Sequence, residues 1–297
     1  MRKVKVITDS CADLNAEQLD RYGIGFARMS TSCDGVESAA ELTWTADEAR
    51  AMYDVMRGGK RIITSQVSAE EFRRVFAKYL DHGMDIVYIG CSSKQSGSVN
   101  TGHVIAQKLM AEYENGTIVC IDSLNASMGE GMLAIEAAKM AADGASAAEI
   151  ENHILSIRKK VNQYVTVHSL DALKRAGRVK GSAAFFGNLM GVKPIIISDA
   201  DGEQAAFKKI KGRQRSFVEI VSLLKSTIVE PEKQTIYLTH ADCSKEEIDE
   251  LVALIKSEIP CRDVEVGYIG PIIGASIGPD AVGIWGYGQE VTFKIGD

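Results

Sequence analysis

The stretch "DIVYIGCSSKQSGSVNTGHVIAQKL", residues 85–109, carries the change of pattern from which the fold is read. Residues 85–90 are a short apolar run with the composition of a buried strand. Four serines then fall within seven residues (Ser92, Ser93, Ser96 and Ser98), and an amphipathic stretch follows. Strand, small polar loop and helix form the repeating unit of an α/β sheet with crossover helices. VKVITDS (4–10), RIITSQ (61–66) and TIVCIDS (117–123) are further strand candidates, each ending in small polar residues. Between them, Ser68 with Glu71 reads as a capping box, followed by Phe72, Val75, Phe76, Tyr79 and Leu80 at helical spacing. Thr45 with Glu48 and Ser146 with Glu149 repeat that signature, the latter opening a helix with Ile150, Ile154, Ile157 and Val161 on one face. The first part of the chain is therefore expected to hold a mostly parallel sheet. Ligands of such sheets gather at the carboxyl ends of strands, where residues 8–10, residues 64–66 and the serine loop fall.

The second half differs. YVTVHSL, VKPIIIS, QAAFKKIKG, TIYLTHA, VEVGYIG and AVGIWGYG are strand candidates, several too close together for a crossover helix, so a mixed sheet is expected. One helix, capped by Ser244 and Glu247 and striped by Ile248, Leu251, Val252 and Ile255, interrupts them. These patterns predict two α/β domains, 1–160 and 161–297. "GYIGPIIGASIGPDAVG", with glycines at 267, 270, 274, 278 and 283, is expected to form close-approach turns and not a helix.

Composition narrows the function classes. Thirty-four basic against forty acidic residues give a net charge of −6, with no basic block of the kind that tracks a phosphate backbone, so nucleic-acid binding is not expected. The apolar part of MRKVKVITDS is too short for a secretion signal, and no run approaches the ~18 apolar residues of a transmembrane segment. Six scattered cysteines without a C-x-x-C, and no histidine at ligand spacing, read as a cytoplasmic protein with no metal and no cofactor.

The serine loop admits three readings: nucleophile, anion cradle or plain turn. A hydrolase elbow needs G-x-S-x-G, and Gly90-Cys91-Ser92-Ser93-Lys94 has lysine where the second glycine belongs. Hydroxyls and backbone N–H groups at a helix N-terminus, here around Ser96, Gly97 and Ser98, suit an anion better. Gly129 to Ala134 satisfies G-x-G-x-x-A, but no acidic strand end follows at the proper place, so helix packing is preferred over dinucleotide binding. "LDALKRAGRVKG" (170–181) and "GRQRS" (212–216) supply basic residues, among them Arg175, Arg178, Arg213 and Arg215; a solvated loop is the plain reading of both.

Taken together, ITDSCADL (7–14), TSQVS (64–68), SSKQSG (92–97), LDALKRAGR (170–178), GVKPII (191–196) and GPIIGASIGP (270–279) resemble, in order, the motifs of the DegV family of bacterial fatty-acid-binding proteins. That resemblance implies two α/β domains with one long-chain fatty acid in a tunnel at their junction. It implies a non-catalytic carrier that presents the carboxylate to an ATP-dependent fatty acid kinase. Thr64 and Ser96 match positions whose hydroxyls bind the carboxylate, with Ser65, Gly97 and nearby N–H groups completing the cradle. Arg213 and Ser276 match a neighbouring hydrogen-bond network, Phe185 and Phe186 are candidate tunnel wall, and the loop of Arg175 and Arg178 is the candidate kinase-docking surface. Ser276 stands where the family commonly has histidine, in G-T-H-T-G-P. Two alternatives stay open: a lipid store or sensor without a kinase, and a serine hydrolase or acyltransferase using Ser96.

Overall fold

Two compact units organise the chain in the computed structural model, which describes residues 2–180 and 191–295. Residues 1–44 and 62–158 form the first, and residues 45–61 and 159–297 the second. The sequence reading divides the chain once, at residue 160; in the structure the segment 45–61 groups with the second unit.

In the first unit, four parallel strands lie in the order Gly25–Ala27, Val4–Asp9, Asp85–Gly90, Ile118–Asp122. The strand predicted at 61–66 is present as Ile62–Ser65, but it belongs to a separate antiparallel sheet with Met29–Cys33 and Val36–Ala40. Its end is therefore not a carboxyl end of the parallel sheet. The helix Ala69–Leu80 buries Phe72, Val75, Phe76 and Leu80, the stripe read from the sequence. Phe72 meets the Tyr88 ring edge-on at 5.0 Å between centroids, locking helix to strand. Ser68 accepts the Glu71 N–H as a cap should, but the box is only half made. The Glu71 carboxylate is taken instead by the Arg28 N–H and the Arg74 guanidinium. Thr45–Glu48 and Ser146–Glu149 close complete boxes.

Helix Met128–Ala142 is buried along nearly its whole first ten residues. A Cβ on Gly131 would lie 2.6 Å from the Ala12 carbonyl oxygen, so only glycine lets this helix approach the turn after the first strand. The second glycine of the G-x-G-x-x-A stretch is thus accounted for by packing.

The second unit is built on a seven-stranded mixed sheet in the order Asp263–Tyr268, Thr235–His240, Val282–Tyr287, Val161–Thr166, Val192–Ser198, Gln204–Lys211, Val179–Lys180. Its central pairings are antiparallel, and its two outermost are parallel. Helices Arg213–Thr227 and Lys245–Glu258 cover it, burying Phe217, Ile220, Val221 and Leu224 from one and Ile248, Leu251 and Ile255 from the other. The glycine-rich stretch corrects the expectation of turns alone, because Pro271–Ile277 is a helix. Pro271 sits in its first turn, where no N–H is needed, and Gly278 ends it at φ +81°. Inside it, a Cβ on Gly274 would fall 2.3 Å from the Tyr53 hydroxyl, which donates to the Ile269 carbonyl at 2.7 Å. Glycine is there to admit a tyrosine of helix Ala46–Arg57, a reason invisible in local propensity.

Candidate functional site

The serine loop is tied down by its own polar groups. The N–H groups of Gln95 and Ser96 both donate to the Ser92 carbonyl, at 2.8 and 3.0 Å, and the Ser92 N–H donates to the Asn125 carbonyl at 2.8 Å. Ser96 Oγ lies 2.9 Å from Ser98 Oγ and accepts the Ser98 N–H at 3.2 Å. Gly97 is the N-cap of the 15-residue helix Ser98–Glu112 and makes no side-chain bond to its first turn. Gly97 thus brings no side chain of its own to the positive end of the helix dipole.

The segment 64–66 joins this loop. Thr64 is half-buried and Ser65 exposed on strand Ile62–Ser65, opposite Thr31 and Ser30. Just beyond, the Gln66 amide donates to the Thr101 hydroxyl at 2.8 Å, and its Oε1 passes 2.1 Å from where a Cβ on Gly97 would be. Val67 N–H donates to Ser98 Oγ at 3.2 Å. The structure therefore brings the two predicted segments, 64–66 and 96–98, into direct contact within one unit. The arrangement offers hydroxyls and amide donors. Activation of a serine would require a base beside it, and the ring of His103, the histidine of helix Ser98–Glu112, contacts Gln107 at 3.1 Å while Ser96 Oγ is engaged by Ser98.

In the second unit, Arg213 opens the helix Arg213–Thr227 directly after Gly212, whose φ of +92° makes the sharp exit from the preceding strand. Its Nε donates to Glu247 at 2.9 Å, and its guanidinium lies 4.6 Å from the centre of the Phe217 ring. Its Nη1 is buried with no hydrogen-bond partner among the described residues. Nearby, Lys193 Nζ contacts His168 Nδ1 at 3.1 Å. Burial, and then the charge of Lys193, lowers the His168 pKa; burial, and then the charge of Arg213, lowers that of Lys193. A cleft of about 630 Å³ is lined by Arg50, Arg57, Arg213 and His168 together with four acids, Asp54, Asp242, Glu247 and Asp280. Arg57 is engaged with Asp242 and Asp280, both at 2.7 Å. Ser276 is half-buried on helix Pro271–Ile277. Arg175 and Arg178 are exposed, on either side of Gly177, which ends helix Asp171–Ala176 in the left-handed region. Phe185 and Phe186 lie outside the described residues.

Sequence reading missed a buried polar cluster in the first unit. Asp9 accepts hydrogen bonds from the Tyr88 hydroxyl (2.7 Å) and from the N–H groups of Cys11 (2.9 Å) and Cys91 (3.2 Å). Glu130 accepts from the Thr8 hydroxyl at 2.7 Å. Burial raises the carboxyl pKa of both acids, Glu130 well above its usual range. The one available signal was an acid placed directly after the apolar run of the first strand.

A family model described as "Uncharacterised protein, DegV family" matches residues 3–288. A DegV domain-containing protein of Clostridium perfringens is 33% identical over 301 residues, covering 100% of this chain and 99% of that protein. Another, of Caldanaerobacter subterraneus, is 30% identical, covering 96% and 99%. Among solved structures, the fatty-acid-binding DegV family protein of Thermus thermophilus superposes with a TM-score of 0.85 at 24% identity, covering 97% of this chain and all of that one. The fatty acid binding protein DegV of Bacillus subtilis gives 0.83 at 23%, with the same coverage. At such identities these two likenesses establish the fold.

Proposed function

The chain belongs to the DegV family, and from that membership we propose that it binds a long-chain fatty acid and acts as a carrier without chemistry of its own. Fatty-acid binding by the Thermus and Bacillus proteins of the same fold supports this reading. The observation that carries it in this chain is the contact of Gln66, the residue that follows Thr64 and Ser65, with the N-cap at Gly97 and with Thr101. In the proposal Thr64, Ser65 and Ser96 offer hydroxyls to the carboxylate, and the N-terminus of helix Ser98–Glu112 offers its dipole. Hydrogen bonds to a charged group contribute about 1.5–3 kcal/mol each. Engulfing the roughly fourteen methylenes of a palmitoyl chain, at ~0.8 kcal/mol each, would add about 11 kcal/mol. The acyl chain supplies the affinity and the polar cradle sets its direction. In the second unit, Arg213, whose buried Nη1 has no hydrogen-bond partner among the described residues, is proposed as an anion contact.

The finer proposal is that the bound carboxylate is presented to an ATP-dependent fatty acid kinase, with the exposed arginines 175 and 178 as the docking surface. Ser276 favours one competing reading, a store or sensor without a kinase, because serine cannot take the cationic form available to the histidine usual at that position. Mass spectrometry of the purified chain, native and then solvent-extracted, tests the carrier reading: one fatty acid per chain is expected. An empty protein that also refuses added palmitate and oleate would end it. Arg178→Glu should abolish kinase coupling and keep the lipid; a kinase pull-down that retains no partner even with the unaltered chain selects the store reading.

A further inference from the structure

Cys11 lies two residues beyond strand Val4–Asp9, Cys91 directly beyond its neighbour Asp85–Gly90, and Glu130 in the first turn of helix Met128–Ala142. Adjacent parallel strands end at the same edge of a sheet, so residues eighty apart in sequence meet there. The two Sγ atoms and a carboxylate oxygen of Glu130 lie within 4.8 Å of one another, and all three residues are buried. A second observation is independent of that grouping. Glu130 Oε2 is buried with no hydrogen-bond partner among the described residues, while Oε1 accepts from Thr8 and from the Asp9 N–H. The charged groups acting on Glu130 are Asp9 and Cys91, both acids. A buried set of acids with an orphaned oxygen can exchange its protons for a cation that all of them ligate.

We infer that Cys11, Cys91 and Glu130 form a buried binding site for Zn²⁺. Two thiolates and one carboxylate supply three of the four donors zinc takes, a set softer than calcium or magnesium accept. Bond lengths of about 2.3 Å to sulfur and about 2.0–2.2 Å to oxygen place such ligands roughly 3.5–3.8 Å apart, so closing the set needs shifts of about 1 Å. Met29 Sδ lies 3.4 Å from Cys11 Sγ and borders the soft side of the site. Asp9, accepting the N–H groups of both cysteines, fixes the backbone that carries the two ligands. Binding exchanges one Zn²⁺ for the two thiol protons and the carboxyl proton, which leave to solvent; no oxidant is involved. The site is closed to solvent, so the ion enters as the chain folds.

The test is metal analysis of the whole chain purified from zinc-supplemented cells, and of the same chain refolded with Zn²⁺ and passed through a chelator. One zinc per chain is expected, lost in Cys11→Ala and Cys91→Ala and retained in Cys33→Ser and Cys261→Ser. Refolding with Co²⁺ should give thiolate-to-cobalt absorption with the same dependence. Should the alanine variants fail to fold, Glu130→Gln keeps the shape and should weaken metal retention about tenfold or more. A metal-free wild-type chain after both treatments, zinc that survives both cysteine variants, or a Cys11–Cys91 disulfide in the purified protein would overturn the assignment. None of these outcomes depends on whether the chain carries a fatty acid.

Discussion

The Asp9 carboxylate is wholly buried and holds three donors around it, two of them backbone N–H groups of the cysteines that follow neighbouring strands. Tyr88→Phe removes the strongest of these and leaves Asp9 Oδ2 with the Cys91 N–H alone. A loss of about 1–3 kcal/mol in stability is expected, read from urea unfolding. His240 is the corresponding group of the second unit. It is buried against the Tyr268 ring, its Nδ1 accepts the Cys243 N–H at 3.2 Å, and burial, against a small opposing effect of Asp242, lowers its pKa from 6.5 to about 4. The unfolded chain therefore takes up this proton first, so the contribution is complete above pH 6.5 and is lost as the pH falls towards 4. It amounts to on the order of 3 kcal/mol. Unfolding free energy measured across that window should fall more steeply for the wild type than for His240→Asn; equal slopes would refute the neutral imidazole. Gly274→Ala, by driving a methyl into the Tyr53 hydroxyl, should cost about 1–3 kcal/mol, seen through the fluorescence of the buried Trp285.

At the scale of elements, the capping signatures divide by what their glutamates do. At Ser146 the box is closed by Glu149, and Ser146→Ala should cost about 1 kcal/mol. At Ser244 only the serine half is made, since the Glu247 carboxylate holds Arg213. Glu247→Ala should therefore destabilise the second unit more than Glu149→Ala destabilises the first, because it strips a largely buried guanidinium of its partner. Urea titration of both variants checks the order. The sequence motif is the same in the two helices; the difference lies in whether an arginine from another element reaches the glutamate. The strands Met29–Cys33 and Val36–Ala40 escaped prediction for a related reason. MSTSC and VESAA carry little apolar alternation, and their pairing with Ile62–Ser65 stabilises them through backbone bonds that no side-chain pattern announces.

For the whole molecule, the carrier reading predicts that fatty acid acts as a stabilising ligand. At a free concentration one hundred times its dissociation constant, palmitate should add about 2.7 kcal/mol and raise the melting temperature of the delipidated chain. Differential scanning calorimetry with and without the acid reads this directly, and no shift would count against an engulfed ligand. Thr64→Val and Ser96→Ala should each weaken binding by about 10- to 150-fold, the equivalent of one hydrogen bond to a charged group.

Sequence alone determined the alternation of strand and helix in the first unit, the mixed sheet of the second, the buried stripes of helices Ala69–Leu80 and Lys245–Glu258, and the polar chemistry of the loop before Ser98. Those features are local: periodicity, caps and turn residues act within a few positions and are written along the chain. Tertiary structure alone decided which unit claims residues 45–61, that Pro271–Ile277 winds as a helix, and that Cys11, Cys91 and Glu130 meet. Each depends on contacts between residues far apart in the chain, such as Tyr53 with Ile269 or Arg57 with Asp242, and the energy of such a contact has no counterpart in the residues on either side of it.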